Sequence, residues 1–137
     1  MIVLCTGGRT FWNKDCVYEA LDRLNAETPI EYLVVGDATG ADASVRQWCA
    51  DRVSSGALSQ LIDARVGVKA DWHLYGKRAG PYRNQVMVDI AVRWLDAYCG
   101  DGSDPLSRVV CLAFPGGSGT ADCVRKARAS GVRVVEV

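Results

Sequence analysis

Apolar residues along this chain alternate between two spacings. Ile2-Val3-Leu4-Cys5, Tyr32-Leu33-Val34-Val35 and Val109-Val110-Cys111-Leu112-Ala113-Phe114 are short continuous runs, the pattern of strands buried on both faces. Between them, Val17, Ala20, Leu21 and Leu24 recur at i, i+3, i+4 and i+7. That spacing predicts an amphipathic helix over 14–26, with Asn13 as N-cap and Pro29 closing the unit. Val45, Trp48, Cys49 and Val53 repeat the pattern over 41–54, and Met87, Ile90, Ala91, Trp94, Leu95 and Tyr98 mark a long helix from about 82 to 98. A short helix is expected over 121–130. Ile62, Ala64 and Val66 alternate as in a strand within 59–68, residues 100–107 form a polar loop, and 132–137 read as a closing strand. Strands alternating with helices imply a parallel sheet with right-handed crossovers: a three-layer α/β sandwich of about five strands and about four helices.

Each of the three apolar runs ends in glycine. The first leads into Thr6-Gly7-Gly8-Arg9, the second into Gly36-Asp37-Ala38-Thr39-Gly40-Ala41-Asp42, and the third into Pro115-Gly116-Gly117-Ser118-Gly119-Thr120. Glycine lets a backbone approach a ligand closely, and a helix N-terminus offers unpaired N–H groups with a partial positive charge. Together they favour a phosphate or another anion. In an open parallel sheet the carboxyl ends of the strands share one edge, so the three turns are expected to converge. Neither of the first two turns is a Walker A loop or a GxGxxG fingerprint, so ordinary ATPase or NAD chemistry is not indicated.

Composition narrows the picture. With 137 residues, 49% of them hydrophobic and 23% charged, one domain with a real core is expected. Sixteen basic residues balance sixteen acidic ones, so no global field draws the chain to nucleic acid or to a membrane, and any anion must be held locally. The chain opens directly on a strand, and no apolar run reaches bilayer length; a cytoplasmic protein is expected. Cys5, Cys16, Cys49, Cys99, Cys111 and Cys123 contain no CxxC pair and read as buried reduced thiols. His73 stands alone, leaving no zinc constellation and no Ser-His-Asp triad. No metal and no cofactor is expected.

The segment from Ala70 to Asn84 lacks clean periodicity yet is rich in aromatic, basic and amide side chains, as functional loops are. Lys77, Arg78 and Arg83 suit phosphates, and Trp72 or Tyr75 suits stacking on a base. Thr6-Gly7-Gly8-Arg9, Gly36 to Asp42, Ala70-Asp71-Trp72 with Tyr75-Gly76-Lys77, Ala79-Gly80-Pro81 with Arg83-Asn84, and Phe114 to Asp122 occur in an order that resembles the YspA-like, YpsA-related branch of the SLOG superfamily, from residue 3 to residue 137. The resemblance implies a Rossmann-like fold, a nucleotide or nucleotide-derived ligand, and a bacterial or bacteriophage setting. It also implies kinship with the Lonely Guy phosphoribohydrolases, the DNA processing protein A family and sensors of cyclic ADP-ribose-type signals. Relatives often pair through central helices, so a homo-oligomer is expected, with Trp94, Leu95 and Tyr98 as a candidate face.

The comparison with Lonely Guy enzymes carries over in part. Their PGGxGTxxE signature ends in a glutamate that assists N-glycosidic cleavage, together with an arginine to which Arg83 is similar. Here Cys123 stands at the glutamate position, and Asp122 lies one residue earlier, turned by about 100° on a helix. A thiol cannot replace a carboxylate that supports an oxocarbenium-like transition state. The first reading is therefore a binding protein for a nucleotide-derived small molecule. The candidate ligand residues are Gly7, Gly8, Arg9, Gly36, Asp37, Gly40, Asp42, Asp71, Trp72, Lys77, Arg83, Asn84, Gly116, Gly117, Ser118, Gly119 and Thr120. The second is a nucleoside-phosphate or ADP-ribose-type glycohydrolase, with Arg83 and either Asp122 or Asp42 as catalytic groups. The third, DNA binding, is disfavoured by the charge balance.

Overall fold

The computed structural model describes residues 1–56, 66–98 and 104–137. In chain order, β1 (Ile2–Thr6), α1 (Lys14–Glu27), β2 (Tyr32–Gly36), α2 (Ala41–Ser54) and β3 (Val66–Val68) are followed by α3 (Trp72–Tyr75) and α4 (Ala79–Tyr98). The chain ends in β4 (Val109–Ala113), α5 (Ser118–Ala129) and β5 (Arg133–Glu136). All strand pairs are parallel, and the strand order is β3-β2-β1-β4-β5, which matches five strands of the doubly wound Rossmann order. Winding runs outward from β1 to β3 and then returns to the far side of β1. The reversal falls between β1 and β4, whose register is continuous from Ile2 opposite Val109 to Thr6 opposite Ala113. Such a switch point opens a crevice at the carboxyl ends of the two strands.

Side-chain alternation divides the core between the two faces of the sheet. Val3 and Cys5 join Leu33, Val35, Val110 and Leu112 beneath α1 and α2, where Val17, Leu21, Val45 and Trp48 are buried. Ile2 and Leu4 point the other way, with Val34, Val109 and Cys111, onto Met87, Val88 and Ala91 of α4 and onto Cys123 and Ala127 of α5. The stripes at Val17, Leu21 and Leu24, at Val45, Trp48 and Cys49, and at Met87 and Ala91 are packed faces of the helices, whereas Val53, at the last turn of α2, is exposed. Asn13 caps α1 as expected, its Oδ1 accepting the Cys16 amide at 3.1 Å.

Two boundaries differ from the expected ones. α4 begins at Ala79 rather than near 82, because Pro81 sits in its first turn, where a helix has no use for the missing N–H. α5 begins at Ser118 rather than 121, so the serine, glycine and threonine read as turn residues are its first turn. The segment from Trp72 to Arg78, which lacks helical periodicity, folds as a single turn of α-helix and a 3-10 turn, too short to show a period. Ile62, Ala64 and Cys99 lie outside the described residues, as do the side chains of Trp94, Leu95 and Tyr98; β3 begins at Val66.

A polar clamp holds α1 to α2. Asp22 accepts from the Trp48 indole at 2.9 Å and from the Arg52 guanidinium through both carboxylate oxygens. Those Arg52 bonds, with the Trp48 bond behind them, hold the Asp22 carboxyl below its ordinary value of 3.8. A depressed carboxyl stabilises the fold above the unfolded-state value and loses that contribution as pH falls through the folded-state value. Asp22 is about half exposed, so solvent screening limits the gain to about 0.5–1 kcal/mol. Asp22→Asn is expected to lower the Tm by a few degrees at neutral pH, with the gap to wild type closing as melts are repeated below about pH 4; a gap that stays constant down to pH 2 contradicts the clamp.

Candidate functional site

Three main-chain loops are stitched together at the carboxyl edge of the sheet. The Gly8 amide donates to the Pro115 carbonyl at 2.9 Å, and the Gly8 carbonyl accepts from Ala41 at 3.1 Å and from Phe11 at 3.2 Å. The Thr39 hydroxyl donates to the Arg9 carbonyl at 3.0 Å. Approach this close leaves no room for side chains: a Cβ on Gly8 would stand 2.9 Å from the Pro115 carbonyl oxygen, and Gly40 has φ +70° with its α-carbon against the Gly8–Arg9 backbone. The loops after β1, β2 and β4 therefore form one rigid rim.

Within that rim lies a cavity of about 270 Å³ lined by backbone from Thr6 to Arg9 and from Gly117 to Thr120, with Asp42, Trp72, Arg83 and Asn84 among its walls. One wall is the N-terminus of α5, whose first-turn amides have no partners within the helix. Nothing stands within 4 Å of where a Gly117 side chain would project. The Arg9 guanidinium lies 5.1 Å from the Trp72 ring centre, a cation–π distance, and Trp72 rests against Gly80 while keeping about half of its surface exposed.

Arg83 crosses toward β2. Its Nη1 is 3.4 Å from Asp37 and 3.8 Å from Asp42, and it occupies the space in which a Gly36 side chain would stand. Asp42 is almost wholly buried, and its Oδ2 accepts the Ala38 amide at 3.2 Å. Burial pushes its carboxyl above the ordinary value, against the lowering by Arg83, the Ala38 amide and Arg46. Arg46, which the sequence reading passed over, donates to the Gly36 carbonyl at 2.6 Å and to Ala38 at 3.1 Å, fixing the loop that carries Asp37.

Asp122 has a different place. Its carboxylate accepts from Asn84 at 3.0 Å and from Arg125 and Lys126 at 2.8 Å each, while Asn84 also donates to the Gly119 carbonyl at 3.0 Å. Burial works against its charge, but the bonds from Lys126, Asn84 and Arg125 hold its carboxyl below the ordinary value. Asp122 is outside the cavity lining and locks α5 to α4. Cys123, at the glutamate position of the Lonely Guy signature, is fully buried, and burial pushes its thiol up to about 11. It is a neutral core residue at physiological pH.

Of the candidate ligand residues, Gly7, Gly8, Arg9, Asp42, Trp72, Arg83, Asn84, Gly117, Ser118, Gly119 and Thr120 meet around the cavity. Gly36, Gly40 and Gly116 stand behind the rim and make room for neighbours, and Asp37 holds Arg83 from outside. Asp71 and Lys77 lie off the cavity: Asp71 caps α3 by accepting the Leu74 amide at 2.9 Å, and Lys77 is exposed in the 3-10 turn. Thr6, Ala38, Gly80 and Met87 were missed. Gly80, Arg83, Asn84 and Met87 share one face of α4, and a helix start at 82 leaves Gly80 outside it. Among the described residues, no group of three or more His, Cys, Asp or Glu is placed to hold a metal, and no helix is long and apolar enough to cross a membrane.

The glycines of the third loop separate into two mechanical classes. A Cβ on Gly116 would collide with the Thr120 side chain and the Gly8 amide, whereas one on Gly119 meets nothing within 4 Å. Gly116→Ala is expected to destabilise the protein by about 1–3 kcal/mol through overpacking, and Gly119→Ala to leave the Tm unchanged or slightly raised. Denaturant melts of both variants check this, and equal effects would contradict the geometry.

The model of the YspA, cpYpsA-related SLOG family (YAcAr) matches residues 1–75 of this chain. The chain is also similar to the Gene 61 protein of Mycobacterium phage D29, with 34% identity over 137 residues, covering 97% of this chain and 93% of that protein. The family match holds the first two glycine loops and Trp72, the phage similarity extends through the third loop, and the chain belongs to the YspA, cpYpsA-related SLOG family.

Proposed function

We propose that this protein binds a nucleotide or nucleotide-derived ligand, with a phosphate seated on the amides of Gly117 to Thr120. The observation that carries this reading is the open helix N-terminus facing a cavity that also holds Arg9 and Arg83. A helix start beside the Arg9 guanidinium is a place for anionic oxygen. Family membership supports the nucleotide class, and Trp72 at the cavity mouth provides an aromatic face for a base. In a bacterial or phage setting, capture of such a molecule serves sensing or sequestration.

Hydrolysis of an N-glycosidic bond is the second reading, and the placement of Asp42 favours a version of it. Asp122 is turned away and saturated with donors, while Asp42 lines the cavity with a carboxyl raised by burial, as a general acid requires. Incubation with nucleoside monophosphates, followed by chromatography for free base and ribose 5-phosphate, separates the two readings.

Gly117 provides the direct test. Its surroundings accept a branched side chain, so Gly117→Val is expected to fold normally and to obstruct the phosphate seat. Calorimetric titration with nucleotides should show at least a tenfold loss of affinity in this variant beside an unchanged melt. Undiminished affinity removes the assignment.

A further inference from the structure

The cavity is bipolar. Its helix-start side and Arg9 present positive potential, while Asp42 presents a carboxylate to the same cavity. Asp42 retains 6% of its side-chain surface, and its Oδ2 accepts from the Ala38 amide, with the Arg83 guanidinium 3.8 Å away. A carboxylate lining a cavity is a strong acceptor for a hydrogen-bond donor that enters it. An occupant with an anion at one end and a hydrogen-bond donor at the other matches this lining.

Size decides which donor. The volume of about 270 Å³ is at or below the lower end of the ~300–1,000 Å³ that encloses whole small ligands. It fits the sugar-phosphate part of a nucleotide, with the base lying outward along the half-exposed Trp72. The donors nearest the phosphate are then sugar hydroxyls, and a carboxylate is a strong acceptor for them. An exocyclic amine of the base would lie farther out.

We infer that Asp42 reads a ribose hydroxyl, so that the site selects ribonucleotide-type ligands over their deoxy counterparts. This rests on the nucleotide-binding reading above. A hydrogen bond to a charged acceptor corresponds to roughly ten- to a hundredfold in affinity.

The experiment is calorimetric titration of the full chain with ribose 5-phosphate, 2-deoxyribose 5-phosphate, the four ribonucleoside 5′-monophosphates, and their 2′-deoxy and 3′-deoxy analogues. Removal of the 2′- or the 3′-hydroxyl is expected to weaken binding ten- to a hundredfold. In Asp42→Asn, checked for folding by its thermal melt, the ratio should shrink several-fold. Deoxy ligands binding within about twofold of the ribo forms would overturn the inference while leaving nucleotide binding intact, and would shift the role of Asp42 to a base amine. If neither ribose 5-phosphate nor any ribonucleotide binds, the parent reading falls and this one with it. The wild-type comparison decides the matter even if the variant fails to fold.

Discussion

The main chain at Gly8 is the fixed point on which the site depends. Its amide reaches the loop after β4 and its carbonyl reaches the start of α2, so one residue ties together three segments far apart in sequence. These bonds form only because the backbones come within contact distance, and that distance admits no Cβ on Gly8. Main-chain bonds shielded by such packing are stronger than the same bonds in water. The sheet brings the loops to one edge, and Gly8 sets their mutual spacing.

Charge is organised around that frame in two layers. Arg83 is flanked by Asp37 and Asp42, so its charge is largely answered within the protein, and Arg46 fixes the backbone of the same loop. Arg9 is held over Trp72 at the mouth, with an aromatic face and no carboxylate as its described partner. The helix start and Arg9 together are thus the part of the cavity that favours an anion, while the Arg83 cluster shapes the opposite wall. Asp122, Asn84 and Lys126 extend this order into the α4–α5 contact, where the Lys126 ammonium also donates to the Pro81 carbonyl at 2.7 Å. The orientation of the α5 amides is therefore set in part by Asp122 and Lys126, which lie outside the cavity lining.

The sheet and the long helices were legible because each obeys one period. Ile2 to Cys5 and Val109 to Phe114 are apolar on both faces, and Val17, Leu21 and Leu24 make a stripe that only a helix can bury. The glycine turns pointed to the cavity, since a parallel sheet gathers its carboxyl ends on one edge. What stayed hidden depends on long-range contact. Nothing local to Asp122 announces that Asn84, Arg125 and Lys126 will saturate it, and nothing around Arg46 shows that it will hold the loop of Gly36. Asp71 and Lys77 belong to a recognisable motif, yet a cap and an exposed turn explain their positions. Helix starts were misplaced by three residues where proline or glycine occupied the first turn, because those residues punctuate a chain as readily as they begin a helix.

A rim assembled from peptide groups has a consequence for comparing this protein with its relatives. Peptide amides respond to charge and shape but are indifferent to what the charged group is attached to. Discrimination is left to the few side chains that face inward, chiefly Arg9, Asp42, Trp72 and Arg83. Two chains carrying identical loops but differing at those four places would share an architecture and an appetite for anions without sharing a molecule. Kinship in this fold is therefore a guide to chemical class, and identity has to be read one inward-facing residue at a time.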